Sequence, residues 1–240
     1  MKFILAFVLM CLPAWVGGQT FLRNDNDTSV VTEYLDGKLW AYRNNGGLIV
    51  GMTNEEISDD YGRYYQIGII INNQRDTSVI FNPEEVYSSL VKKNGDTITL
   101  DVYTDEEYQK KIKKSQMWAM VLTGISNGLS AGQAGYSTST TSTVGANGSI
   151  YFTTTTHYNA NAAAQAQLAA NQRMMSLGRL FEEDRNIRRQ GYLKKNTIHP
   201  GETICGYMNI KRKKGKLMVV DIDICGCNYC FAWDVGKKRK

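Results

Sequence analysis

The chain has 240 residues, with 28 Lys plus Arg against 23 Asp plus Glu and a formal net charge of +5. Hydrophobic residues make up 42%, enough to fill the core of one sizeable domain. The mild positive charge gathers at Lys110, Lys111, Lys113 and Lys114, at Lys211 to Lys216 and in the tail Lys237 to Lys240, runs that read as solvated surface. Without aromatic rings interleaved among them they exclude nucleic acid as a partner and leave anionic lipid or polysaccharide headgroups for the tail.

At the N-terminus, Lys2 is followed by an apolar run from Phe3 to Trp15 that is too short to span a bilayer, and small residues follow at Gly17 and Gly18. Residues 1–18 read as a secretory signal peptide cleaved before Gln19. The run Val8-Leu9-Met10-Cys11 only faintly resembles a lipid-attachment site, since Met10 is too bulky for one. The expected destination is outside the cytoplasm: periplasm, cell surface or medium.

From residue 19 to 104 the chain is punctuated by Asp36-Gly37, Asn45-Gly46-Gly47 and Asn94-Gly95, dipeptides that suit tight hairpins. Between them the pattern predicts strands at Ser29–Leu35, Lys38–Arg43, Leu48–Thr53, Tyr64–Asn72, Ser78–Phe81, Val86–Lys92 and Thr97–Tyr103. Alternation puts Tyr65, Ile67, Ile69 and Ile71 on one face, and Ile98, Leu100 and Val102 on another. From 191 to 240 strands return, with Ile204, Met208 and Ile210, then Val220, Ile222 and Ile224, then Tyr229, Phe231, Trp233 and Val235, before the basic tail.

Between these blocks, over 105–190, the period changes. Glu106 to about Leu129 reads as a helix with a stripe of Tyr108, Ile112, Ala119, Leu122 and Ile125, capped by Thr104 and started by acidic residues. A second helix is predicted over Asn159–Arg189, with Ala163, Ala170, Met174, Leu177 and Phe181 along one side. At the tip, Ser137–Val144 and Ser149–Thr156 flank Gly145 to Gly148 as a Thr-rich β-hairpin. Strand number, alternation and turn chemistry together predict a mainly β fold: an immunoglobulin-like antiparallel β-sandwich interrupted by a long antiparallel helical hairpin.

Charge distribution is the feature that points to function. From Ser115 through Gln172, 58 consecutive residues contain no Asp, Glu, Lys or Arg. Gly124, Gly128 and Gly132 recur every four residues there, a small-residue ladder suited to close helix approach. A neutral surface costs little to desolvate, which makes this ladder and its surroundings a candidate surface for a protein partner, self-association or a membrane. Thr123, Ser126, Asn127, Ser130 and Gln133 make Met117–Gly135 too polar for a spanning helix.

Four cysteines lie outside the signal: Cys205, Cys225, Cys227 and Cys230. Export makes disulfides the default. The expected pairs are Cys225 with Cys230, facing each other across a hairpin closed by Gly226 to Tyr229, and Cys205 with Cys227, brought together by pairing the strand around Cys205 with Val219–Ile224. Cys225-Gly-Cys227 lacks the paired-knuckle spacing of a zinc site, and neither His157 nor His199 stands in a catalytic arrangement with a thiol.

Asp221 and Asp223, and the cluster Glu55, Glu56, Asp59 and Asp60, read as solvated carboxylates lying outside any fixed constellation. The aromatic residues Trp40, Tyr42, Tyr61, Tyr64 and Tyr65 read mainly as core and cross-strand pairs. No phosphate-binding glycine loop or nucleophile elbow occurs, and no cofactor or metal is called for. The reading is therefore a non-enzymatic bacterial cell-envelope protein that uses the hairpin for assembly or partner binding. A membrane-active oligomer is the alternative, and a secreted hydrolase comes third.

Overall fold

The computed structural model describes residues 20–22, 30–144 and 150–236. The expected signal peptide and the basic tail from 237 lie outside them. The first block comprises β1 (Thr20–Phe21), β2 (Val30–Leu35), β3 (Lys38–Asn45), β4 (Leu48–Asp59), β5 (Gly62–Asn73), β6 (Val79–Phe81), β7 (Val86–Val91), β8 (Thr97–Leu100) and β9 (Val102–Tyr103). Helix α1 (Asp105–Ala134), β10 (Tyr136–Val144), β11 (Ile150–Tyr158) and helix α2 (Ala160–Arg189) follow. The chain closes with β12 (Asn196–Ile198), β13 (Thr203–Lys211), β14 (Leu217–Ile224) and β15 (Cys227–Asp234).

Two antiparallel sheets form an open, sandwich-like body, one ordered β1-β15-β14-β7-β8 and the other β2-β3-β4-β5-β13-β9. Each contributes an alternating apolar face to one core. Met52, Tyr65, Ile67, Ile69, Ile71, Met208 and Ile210 come from the six-stranded sheet; Leu90, Met218, Val220, Ile222, Phe231 and Trp233 come from the five-stranded one. Ser88 and Asn73, buried polar side chains beside this core, are paired, whereas the buried Trp233 indole N–H has no hydrogen-bond partner among the described residues. Ser88 donates to the Val219 carbonyl, and Asn73 donates to the carbonyls of Thr77 and Ile198. The Tyr229 hydroxyl donates to the Leu48 carbonyl at 3.2 Å, tying one sheet to the other.

Local chemistry sets the ends of the elements. The β2–β3 hairpin turns through Asp36 (φ 50°) and Gly37 (φ 75°), and the β14–β15 hairpin through Cys225 (φ 50°) and Gly226 (φ 76°). Two successive left-handed residues match the twist of the flanking strands. Helix α1 starts with a capping box in which Thr104 and Glu107 satisfy each other's backbone N–H, and Asn159 caps α2 by accepting from Asn161 and Ala162.

Three strand assignments differ from the sequence reading. The run Thr97–Tyr103 is not one strand: β8 pairs with β7 and β9 with β13, so the chain changes sheets at Asp101. There the Asp101 carbonyl accepts from the Lys211 N–H at 2.8 Å, and its carboxylate pairs with Lys211 Nζ. Strand β4 continues past the expected end at Thr53 through Glu55 and Glu56 to Asp59, because β5 pairs with it along its whole length, and Asp60 lies in the turn that follows. Strand β13 pairs with β5 and β9, not with β14. The segment between β13 and β14 crosses from one sheet to the other, held by Tyr65, whose hydroxyl donates to the Lys213 carbonyl, and by Gly215 packed against Leu90.

Candidate interaction surface and thiol site

Both helices rise from the outer face of the six-stranded sheet, where a tyrosine-rich cluster holds their base. Tyr108 and Tyr192 stack at 5.4 Å, with Tyr64 edge-on to Tyr108 at 5.6 Å and Tyr207 edge-on to Tyr192 at 5.0 Å. Around the rings runs a polar network. Arg188 bridges Asp59 (2.6 Å) and Asp184 (2.9 Å), Tyr61 donates to Asp184 at 2.6 Å, and Gln116 donates to the Tyr61 hydroxyl at 2.9 Å and to the Phe181 carbonyl at 3.2 Å. Lys111 lies over the rings of Tyr64 and Tyr103 and donates to the Tyr64 hydroxyl.

Burial pushes the phenols of Tyr64, Tyr108, Tyr192 and Tyr207 above their ordinary range, so they stay neutral. It pulls the Lys111 ammonium down. Desolvation works against the Arg188 charge, but Asp184 and Tyr108 more than offset it. These groups satisfy one another, and the cluster works as an anchor.

Above the anchor the helices lie side by side. Contacts join Asp105 to Arg189, Gln116 to Phe181, Gly124 to Met174 and Gly135 to Ala163. On α2 the expected side is the packed one: Ala170 is buried, while Ala163, Met174, Leu177 and Phe181 are half-buried. On α1 the stripe diverges. Tyr108 and Ile112 are buried, but the packed row continues through Gln116, Thr123, Asn127 and Ala131, leaving Leu122 65% and Ile125 59% exposed. Once the helix leaves the sheet its only partner is α2, and α2 lies on the other side of that stripe.

Of the glycine ladder, Gly124 faces α2, where an added methyl would meet the Met174 Cε at 3.8 Å, an ordinary contact. Gly128 and Gly132 are part of α1, and their surroundings lie outside the described residues. The tight position is one that sequence reasoning missed. A Cβ on Gly135 would meet the Tyr158 ring at 2.6 Å and Ala163 at 3.0 Å, so a larger residue there would have to displace the ring.

The outward sides of the helices carry apolar side chains among polar ones. Met117, Trp118, Val121, Leu122 and Ile125 on α1, and Leu168, Met175 and Leu180 on α2, are all exposed. Strands β10 and β11 pair only with each other, with Tyr136 opposite Tyr158 and Thr140 opposite Thr154; Phe152 and both tyrosines are exposed. No described helix is long and apolar enough to cross a membrane.

The four cysteines among the described residues carry free thiols. The β14–β15 turn is Cys225-Gly226, tighter than the expected loop, so Cys230 stands opposite Asp221. That is four residues along the strand from Cys225, about 13 Å at the usual rise and beyond disulfide reach. Cys205 is opposite Ile70 in the six-stranded sheet, whereas Cys227 belongs to the five-stranded one. The geometric basis expected for both pairs is therefore missing. Burial and the Asp221 carboxylate push the Cys230 thiol up to about 11. Exposed Cys225 and half-buried Cys227 lie instead beside Arg75, whose Nη2 donates to the Cys227 Sγ at 3.6 Å and to the Asn45 carbonyl at 2.8 Å.

Two open clefts, of about 460 and 440 Å³, are lined by Tyr192, Lys194, Lys195 and Cys205, and by Tyr65, Lys92, Lys93, Arg212 and Lys214. Neither lining groups a thiol or hydroxyl with a histidine. Among the described residues, no three His, Cys, Asp or Glu side chains are grouped to hold a metal ion. Comparison with known proteins returns no matching family model, curated protein or solved structure.

Proposed function

We propose that this chain is an exported, non-enzymatic cell-envelope assembly protein: an immunoglobulin-like sandwich that presents an antiparallel helical hairpin and its ribbon tip to a protein partner, a second copy included. The observation that carries this reading is the exposed row Trp118, Val121, Leu122 and Ile125 within a stretch of 58 residues without a formal charge. Contiguous apolar surface of this kind marks interaction sites, and the missing charges remove the desolvation cost that would oppose docking. Anchoring by buried rings and ion pairs at the base gives the surface a fixed orientation.

A second reading, contact with a lipid surface, is favoured by exposed Tyr136, Phe152 and Tyr158 on one face of the ribbon, since aromatic side chains partition to the headgroup region. Sedimentation and liposome flotation of the mature protein separate the two. Leu122→Lys should leave the melting transition unchanged, because the side chain touches nothing that holds the fold, while reducing assembly in the first case or flotation in the second. A native protein that is strictly monomeric, ignores liposomes and is indifferent to Leu122→Lys removes both readings.

A further inference from the structure

The β14–β15 turn uses the same backbone as the β2–β3 turn but different chemistry. Asp36-Gly37 is a preferred pair for two left-handed residues, since a short polar side chain tolerates positive φ; Cys225-Gly226 holds nearly the same angles with a residue that has no such preference. The turn itself therefore gives no reason for a cysteine at position 225. Its neighbour two residues on is another cysteine, and the Arg75 guanidinium, fixed by the Asn45 and Gly46 carbonyls, touches that second sulfur.

We propose that Cys225 and Cys227 form an exchange-active dithiol that reduces accessible disulfides. Cys225, exposed at the apex of the turn, attacks one sulfur of the incoming disulfide as thiolate; the S–S bond breaks and the leaving sulfur departs as a thiol after taking up a proton. Cys227, its sulfur in contact with the Arg75 guanidinium, then attacks as thiolate the Cys225 sulfur of the mixed disulfide, closing a Cys225–Cys227 bond and releasing the second thiol, which takes up a proton. One disulfide is reduced to two thiols, and the two cysteines are oxidised by the same two electrons. Residues two apart are separated by at most about 7 Å between Cα atoms, so ring closure needs adjustment only within the turn. Cys230, held neutral beside Asp221, takes no part.

The test uses the reduced mature protein and oxidised glutathione, with acid quenching and mass mapping. The expected product is a Cys225–Cys227 bond with two glutathiones released, formed roughly tenfold or more faster than any adduct at Cys205 or Cys230. Cys227→Ser should trap glutathione on Cys225. Arg75→Gln should slow ring closure while leaving the first attack by Cys225 unchanged, a split that a purely structural arginine would not produce. Cys225→Asn, which restores a preferred turn pair, should fold with an unlowered melting midpoint and abolish ring formation. Adducts spread evenly over four cysteines, no ring, ring closure at an unchanged rate in Arg75→Gln, or a Cys225→Asn protein that fails to fold would each overturn the proposal.

Discussion

Gly206 shows how a single hydrogen atom can hold the base of α2. It lies in β13 opposite Ile69, and a Cβ there would meet the Gly191 carbonyl oxygen at 2.5 Å and the Leu193 side chain at 2.8 Å. That carbonyl accepts from the Tyr207 N–H at 2.9 Å, while the Leu193 N–H donates to the Tyr207 carbonyl, so the segment leaving α2 is laced directly onto β13. Backbone cannot retreat as a side chain can. Gly206→Ala is expected to cost about 2 to 3 kcal/mol, the upper part of the overpacking range, and to loosen the helices from the sheet. Chemical denaturation measures the first effect, and hydrogen exchange at Tyr207 and Leu193 the second. Nothing in the sequence around Gly206 announces this, because the contact joins segments whose pairing depends on the fold. The capping residues Thr104 and Asn159, in contrast, act within four residues of themselves, and the Thr104 cap was legible for that reason.

Among the elements, the β10–β11 ribbon stands most apart. Among the described residues it pairs with no other strand, and it meets the helix ends where Asn159 donates its N–H to the Gly135 carbonyl and Tyr158 packs on Gly135. Replacing Tyr136–Tyr158 by a short Gly/Ser linker should therefore leave a cooperative melt with a nearly unchanged midpoint, since a two-stranded ribbon contributes little stability of its own. A collapsed or broadened transition would show that the body depends on it. Strand and helix positions were largely legible, because alternation, turn pairs and the shift to a helical period are local signals. Pairing was not. Ile98, Leu100 and Val102 alternate straight through Asp101, where the chain changes sheets, and β13 looks like a neighbour of β14 in the sequence although it joins β5. The outward row on α1 was misread for a related reason: periodicity finds an apolar stripe without revealing whether anything covers it.

For the molecule as a whole, the tyrosine anchor makes stability depend on alkaline pH. Tyr64, Tyr108, Tyr192 and Tyr207 are held above their ordinary values, chiefly by burial, and Tyr229 is pushed up to about 12. In the unfolded chain these phenols lose their protons near pH 10, while the folded state keeps them. Above that pH the unfolded state binds fewer protons, so stability falls as pH rises, until the folded-state values are reached. The contribution is fully present below about pH 10. Absorbance titration of the phenolate should show a late cooperative rise, well above pH 10, that coincides with loss of circular dichroism. A single smooth titration with the fold intact would contradict the anchor.

The same anchor gives the molecule a mechanical character. Each helix has 30 residues, about 45 Å of stiff rod at 1.5 Å per residue, fixed at one end and joined to the ribbon at the other. A sideways force applied at the tip becomes a torque whose reaction falls on a few bonds at the base, Arg188 with Asp59 foremost, with the lever arm multiplying the load. Ion pairs backed by stacked rings resist such prying over short distances and then give way together. The two helices would thereby bear strain up to a threshold and hinge at the sheet beyond it, with the sheets spared.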